Sequence, residues 1–161
     1  GLAGLLLAPT GNSCHRTAMA VQSSKSGGPR MPEMQGFREL VGYSVPVWRS
    51  GYAEVVVELG AHHTNRMGIV HGGVYMTILD AAMGHAATWA PTPAERKRCV
   101  TISMTTSFLK PAQGGEIRAI GEMAGVHDGT VTCRGRVMST DGVVLMSAQA
   151  SFRLMSGTPT R

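Results

Sequence analysis

Asp80 is a single carboxylate inside an otherwise apolar stretch, and it is the residue with the clearest potential for chemistry. It is the only acid in the segment 72–90, GGVYMTILDAAMGHAATWA. An ionised carboxylate in apolar surroundings is costly unless it is paired or partly solvated. Asp80 is therefore either a structural group, exposed or hydrogen-bonded, or a general base or nucleophile held in a dry cleft.

The tripeptide His71-Gly72-Gly73 stands where the same apolar segment begins. A helix N-terminus offers unsatisfied N–H groups and a positive dipole end, and glycine lets a ligand approach that backbone closely. Such a site can hold an oxyanion or the charge that develops on a carbonyl. By itself, the tripeptide is also consistent with an ordinary Gly-rich helix entry.

Other catalytic signatures are missing. The spacing of the histidines between 62 and 85 does not match HExxH or a paired set of ligands, and only one acid lies nearby, so no metal site is predicted. The sequence also lacks GxSxG, GxGxxG and GxxxxGK[ST]. These absences argue against an α/β-hydrolase elbow, a dinucleotide-binding turn and a P-loop.

The flanking patterns predict an α+β domain built around one long helix. A short helix ends near Gly42, and the Val-rich segment 51–61 predicts a strand. Residues 62–73 are polar and loop-like. The Ala-, Met- and Leu-rich segment 74–90 is too long for a strand and predicts a helix that Pro91 and Pro93 terminate.

Four more strands follow, which makes about five antiparallel strands wrapped around the helix. Turn signals separate the four: Lys110-Pro111 with Gly114-Gly115, then Asp128-Gly129, then Asp141-Gly142. They predict a meander of consecutive neighbours. The first of these strands is predicted to alternate without a break. Its two faces would carry Val100, Ile102, Met104, Thr106 and Phe108 on one side and Thr101, Ser103, Thr105 and Ser107 on the other.

Composition limits the class of protein. The 161 residues suit one domain, and 43% hydrophobic against 16% charged residues is a globular balance. Three cysteines without a CxxC pattern predict a reducing compartment, hence a cytoplasmic location. An aromatic content of 5% argues against a stacking surface for single-stranded nucleic acid, and no apolar run approaches the length of about 18 that a membrane span needs. Of the net charge of +5, residues 1–32 carry +3. The remaining domain, at +2, need not bind nucleic acid and is compatible with an anionic small molecule.

Residues 1–30 differ from the rest, with a short apolar run followed by a Ser-, Gly- and Thr-rich stretch. We expect a disordered leader or an extension upstream of a start at Met31, and a folded domain over 31–161. The alternative is a transit peptide, which would place the protein in mitochondria.

The pattern Asn65-x5-His71-Gly72-Gly73-x6-Asp80 resembles the hotdog-fold acyl-CoA thioesterases. The stretch 63–82 is most similar to the branch typified by the phenylacetate-pathway thioesterase and its mammalian thioesterase-superfamily relatives. Residues 100–117 are similar to that family's next strand and turn. The resemblance covers roughly residues 35–155 and implies a hotdog fold. A different hotdog branch carries Glu on the helix, whereas this chain has Asp80.

The resemblance implies a role for each matching residue. Asp80 would be the general base that activates water, or the nucleophile, and the Gly72 amide would polarise the thioester carbonyl. Asn65 would hold the carbonyl or the water, and His71 would shape the pocket near the carbonyl or the leaving thiol. Thr101 would position the water. By residue type alone, His71 is also consistent with a loop-packing histidine and Asn65 with a turn-forming residue.

The implied activity is hydrolysis of acyl-CoA thioesters to free acid and coenzyme A, without a cofactor beyond the coenzyme A of the substrate. The implied assembly is a homodimer or homotetramer with sheets paired edge to edge. Asp80 would then face Asn65, His71 and Gly72 of a second subunit. The alternative is a non-catalytic hotdog module that binds acyl-CoA or a related lipid as a sensor. The sequence does not identify the acyl group of the substrate. The candidate contacts for coenzyme A phosphates are Arg66, Arg96, Lys97, Arg98, Lys110, Arg134 and Arg136.

Overall fold

A computed structural model of the chain describes residues 36–155, and the expectations for residues 1–30 lie outside this part. Two short 3₁₀ turns, Ala61–His63 and Pro93–Glu95, accompany the main elements. In chain order, the helices and strands are α1 (Phe37–Val41), β1 (Ser44–Arg49), β2 (Tyr52–Leu59), α2 (Gly72–Thr88), β3 (Arg98–Phe108), β4 (Gly115–His127), β5 (Thr130–Ser139) and β6 (Val144–Met155).

The strands form one antiparallel sheet in the order β1-β2-β4-β5-β6-β3, and α2 contacts all six of them. This confirms the predicted α+β class and the sheet around a single long helix. The helix ends at Thr88, three residues before Pro91, as predicted. No helix between residues 36 and 155 has the length and apolar character needed to cross a membrane.

Two strand predictions were wrong. The sequence predicted about five strands, but β1 is a sixth. Its Pro46 lies in a register shift at the edge of the sheet, where the missing N–H of proline is tolerated and where the strand pattern is weak.

The predicted four-strand meander is also wrong, because β3 pairs with β6 and not with β4. The amides of Leu109 and Lys110 both donate to the carbonyl of Leu145, at 2.9 and 3.1 Å, which holds the chain beside β6. The segment 109–114 is therefore a crossover to the other side of the sheet rather than a hairpin turn. The two Asp-Gly turns do join β4 to β5 and β5 to β6, and the first has the left-handed backbone that a tight hairpin requires (φ 46° and 70°).

The helix lies directly on the sheet at a pair of glycines. Gly121 of β4 and Gly135 of β5 are register partners. A Cβ atom at position 121 would lie 2.5 Å from the carbonyl carbon and oxygen of Ala82 and 2.6 Å from the amide nitrogen of Met83. Only the absence of side chains lets the backbone of α2 come this close. The face of α2 that this contact buries carries Tyr75, Ile78, Leu79, Ala82, Met83 and Ala86.

We expect Gly121→Ala to destabilise the fold by about 3 kcal/mol or more, because the added methyl meets backbone atoms that cannot rotate away. The melting temperature should fall by roughly 10 °C or more. Gly114→Ala is the matched control, since a Cβ there has no heavy atom within 4 Å. Thermal melting of both variants checks this, and equal melting temperatures would contradict the close-packing argument.

Candidate active site

The first turn of α2 presents an unused backbone donor. His71 is the N-cap residue, and its Nδ1 accepts a 2.9 Å hydrogen bond from the Gly73 amide. Its carbonyl accepts from the Val74 amide at 2.9 Å. The Gly72 amide has no acceptor among residues 36–155, so it remains a donor at the positive end of the helix dipole.

A buried histidine that the sequence did not single out fixes the loop before this turn. His63 is 3% exposed, and its Nδ1 accepts from the Gly60 amide at 2.9 Å. The proton is therefore on Nε2, which donates to the Val41 carbonyl at 2.8 Å. The His63 carbonyl in turn accepts from the His71 amide at 2.8 Å. This histidine thus joins α1, the loop and the start of α2.

Asn65 forms a local turn in the same loop. Its Oδ1 accepts from the Met67 amide at 2.8 Å, which is the Asx-turn contact expected of its residue type. Its backbone amide donates to the Ile69 carbonyl at 2.8 Å. The side-chain NH₂ has no partner within the described part of the chain, so Asn65 can still donate a hydrogen bond outside its own turn.

The carboxylate of Asp80 meets a hydroxyl from β3. Asp80 is half-buried, and the Oγ1 of Thr101 donates to its Oδ1 at 2.7 Å. A hydroxyl that donates to a carboxylate makes a strong, charge-assisted hydrogen bond and orients the acceptor. The predicted pair of Asp80 and Thr101 is therefore in direct contact, although 21 residues separate the two in sequence.

The contact depends on a break in β3 that the sequence prediction did not include. The strand was predicted to alternate without interruption, but its register against β6 shifts between Thr101 and Ser103. Cys99 and Thr101 face α2 before the shift, and Met104 packs against the core after it. A β-bulge adds one residue and reverses which face each later side chain occupies. The predicted division of this strand into two faces is therefore wrong.

Two further ionisable groups lie near Asp80, and both are held in their protonated forms. Burial raises the pKa of the Cys99 thiol, and the nearby Asp80 charge raises it further. Burial also raises the pKa of the Tyr43 phenol, which Arg38 lowers and Asp80 raises to a smaller extent. Since the thiolate is the nucleophilic form of cysteine, Cys99 is poorly suited to be the nucleophile.

The predicted site residues fall into two groups in one chain. Asn65, His71 and Gly72 lie at the N-terminal end of α2, and Asp80 and Thr101 lie further along it. Gly72 and Asp80 are eight residues apart on the same helix, which corresponds to about 12 Å along its axis.

Several side chains considered as metal ligands or as contacts for coenzyme A phosphates interact with other residues of the chain. His85 donates from Nδ1 to the Ala81 carbonyl at 2.6 Å, and burial lowers its pKa. Arg134 and Arg136 both approach Glu122, at 3.1 and 3.7 Å. The Arg96 guanidinium lies 4.5 Å from the centre of the Trp48 ring. No group of three possible metal ligands occurs within residues 36–155.

The model of the thioesterase superfamily matches residues 67–146, the part that holds Gly72, Asp80 and Thr101. The predicted resemblance and the hotdog fold are thereby confirmed. This match supports thioester hydrolysis as the general reaction. No curated protein matches the sequence significantly.

Solved structures share the fold at low sequence identity. A conserved protein from Pseudomonas aeruginosa is 24% identical with a TM-score of 0.70, and the alignment covers 76% of this chain and 95% of that one. The E. coli PaaI protein from the phenylacetic acid degradation operon is 18% identical with a TM-score of 0.68, covering 76% and 86%. A variant of PaaI, a phenylacetic acid degradation protein from Thermus thermophilus, is 24% identical with a TM-score of 0.66, covering 74% and 98%.

We expect His63→Ala to destabilise the protein by about 2–4 kcal/mol, because it removes a buried ring and leaves the Gly60 amide and Val41 carbonyl without their partner. His127→Ala is the matched control, since His127 is exposed at the end of β4 and a surface substitution costs little. Urea denaturation of both variants measures the difference. A loss of stability no larger for His63→Ala than for His127→Ala would show that His63 does not hold the loop.

Proposed function

We propose that this protein is an acyl-CoA thioesterase that uses Asp80 as general base or nucleophile and the Gly72 amide to polarise the thioester carbonyl. The observation that carries the proposal is the 2.7 Å hydrogen bond from Thr101 to the half-buried Asp80 carboxylate. It supplies a positioned carboxylate beside a hydroxyl that can hold water. The unused Gly72 amide at the helix N-terminus supplies the second requirement, a donor for the carbonyl oxygen.

The chemistry of thioesters suits so small a set of groups. A thioester carbonyl is more electrophilic than that of an ester, and the thiolate is a good leaving group. As base, Asp80 takes a proton from water while the oxygen bonds to the carbonyl carbon, and the Gly72 amide stabilises the oxyanion. Collapse of the tetrahedral intermediate breaks the carbon–sulfur bond and releases the acid and the thiol of coenzyme A. As nucleophile, Asp80 would form an anhydride that water then hydrolyses.

One chain does not bring the two groups together. General base catalysis places the carboxylate about 3 Å from the water and the water about 3 Å from the carbonyl carbon. The separation of about 12 Å between Gly72 and Asp80 along α2 is longer than these contacts span. We therefore propose a site that two subunits share, with Asp80 of one facing Gly72, His71 and Asn65 of the other.

The edge of the sheet supports this assembly. Within the described residues, β3 pairs with β6 alone, so its other edge offers unpaired backbone groups. The same strand exposes Val100 and Ile102 at 52% and 54%. Since β3 also carries Thr101, pairing of two copies along this edge would bring a second subunit close to Asp80. A homodimer, or a homotetramer built from two of them, follows.

We expect Asp80→Asn to fold normally and to lose at least about 10²-fold in kcat, because an amide can neither accept the proton of water nor attack the carbonyl. The Thr101 hydroxyl can still donate to the amide oxygen, so thermal melting should change little. Thiol release from a panel of acyl-CoAs measures the rate. Glu58→Gln, which neutralises an exposed acid on β2, is the matched control. A fully active Asp80→Asn would contradict the mechanism. A wild type that binds but never releases thiol would favour the non-catalytic module.

A mixing experiment tests the shared site. Asp80→Asn should be nearly inactive alone. Gly72→Ala keeps the N–H but should be strongly impaired, because its Cβ, 3.0 Å from Cε1 of Phe108, crowds the carbonyl site. Subunit exchange between the two variants should restore activity. Random pairing makes half of the dimers mixed, and each mixed dimer has one site with both native groups, so about one quarter of all sites become native. Activity after exchange should therefore approach about one quarter of wild type. If the activity of the mixture equals the mean of the two variants, the site is not shared. Full activity of a wild-type protein whose mass in solution is that of one chain would also contradict a shared site.

A further inference from the structure

Phe108 combines a tight contact at the start of α2 with a largely uncovered ring. A Cβ atom at position 72 would lie 3.0 Å from Cε1 and 3.3 Å from Cζ of this ring, so the ring lies against the Gly72 backbone. The side chain is nevertheless 55% exposed. A ring that served only to cover the helix end would bury more of its surface, and here more than half faces away from the described residues.

Backbone hydrogen bonds just after Phe108 hold the end of β3 in place. The next two residues donate to the Leu145 carbonyl, which secures the end of β3. Further on, the Ala112 amide donates to the hydroxyl of Tyr75 at 2.8 Å, and Tyr75 is a buried residue of α2. The chain that follows Phe108 is therefore held first to β6, through Leu145, and then to α2, through Tyr75.

This position gives the ring a defined place in the chemistry. An amide that donates to a carbonyl oxygen lies within a few ångströms of the carbon next to that carbonyl. The ring beside the Gly72 amide therefore lies near the groups bonded to the carbonyl carbon, among them the first carbon of the acyl group, rather than near the far end of the acyl chain. Met76 lies one turn further along α2 and is 38% exposed, and its flexible side chain adds apolar surface next to the Phe108 ring.

We propose that Phe108 is a specificity-determining residue that limits branching at the acyl carbon next to the thioester carbonyl. The inference rests on the proposed function, since it assumes that the carbonyl binds at Gly72. An aromatic face this close to the Gly72 backbone leaves room for a CH₂ group and disfavours additional methyl groups, because a displaced ring would lose its contact with Gly72. The length and shape of the far end of the acyl chain do not affect this discrimination between straight and branched acyl groups.

The experiment compares straight and branched acyl groups in pairs. Thiol release is measured with butyryl-, 2-methylbutyryl- and 2,2-dimethylbutyryl-CoA, and with phenylacetyl- and 2-phenylpropionyl-CoA. In Phe108→Ala, the ratio of kcat/KM for branched over straight substrates should rise about tenfold per methyl group, the size of effect that one such group has in a pocket. Phe108→Leu keeps an apolar contact with Gly72 and should give an intermediate ratio. Leu109→Ala, the equally exposed neighbour (55%), should leave the ratio unchanged.

The same acyl series as ketone analogues, in which CH₂ replaces the sulfur, separates the two proposals by titration calorimetry. In Phe108→Ala and Phe108→Leu, turnover of all substrates could change by one common factor or not change at all. Either result overturns the role of Phe108 and leaves the thioesterase proposal standing. Binding that depends on Phe108 and on branching, with no thiol release by the wild type, overturns the hydrolase proposal and supports the role of Phe108. Absence of both turnover and binding overturns both.

Discussion

The close approach of α2 to the sheet at Gly121 and Gly135 is the constraint on which the other features depend. Two glycines in register let the backbone at Ala82 and Met83 lie where side chains would otherwise stand. This contact sets the height of the helix above the sheet. Ile78, Leu79 and Met83 are fully buried against the sheet, whereas Asp80 is left half-buried. A residue with a side chain at position 121 would force the helix away and alter both ends of the site.

Strand β3 completes the site at two places. Its bulge turns the Thr101 hydroxyl toward Asp80, and its last residue, Phe108, lies against Gly72. The strand is also one of the two edge strands of the sheet among the described residues. One element therefore orients the carboxylate, covers the helix N-terminus and offers the edge through which we propose that a second subunit completes the site. A single strand can contribute this much because the proposed reaction needs only a carboxylate, a water molecule and one amide donor.

Much of this was predictable from local sequence. The hydrophobic run and prolines determine the helix 72–88, and the Asp-Gly pairs determine the two hairpins, because a helix and a tight turn depend on residues that are close in sequence. The motif from Asn65 to Asp80 indicated the thioesterase superfamily, which the family model confirms. The roles of Asn65, His71, Gly72, Asp80 and Thr101 stay proposals, and the structure adds the hydrogen bonds that four of them make and the unused amide of Gly72.

Tertiary structure alone decided the rest, because it depends on pairing between distant residues. Placing β3 beside β6 required the hydrogen bonds of Leu109 and Lys110 to Leu145, and no turn signal encodes that choice. The bulge arises where β3 meets β6, so an alternation pattern read along β3 cannot contain it. Two packing contacts were also beyond the reach of sequence patterns. The backbone of Ala82 approaches Gly121 from 39 residues away, and the ring of Phe108 lies against Gly72 from 36 residues away. The sequence by itself determined the local elements and the chemical groups; long-range packing decided which groups meet.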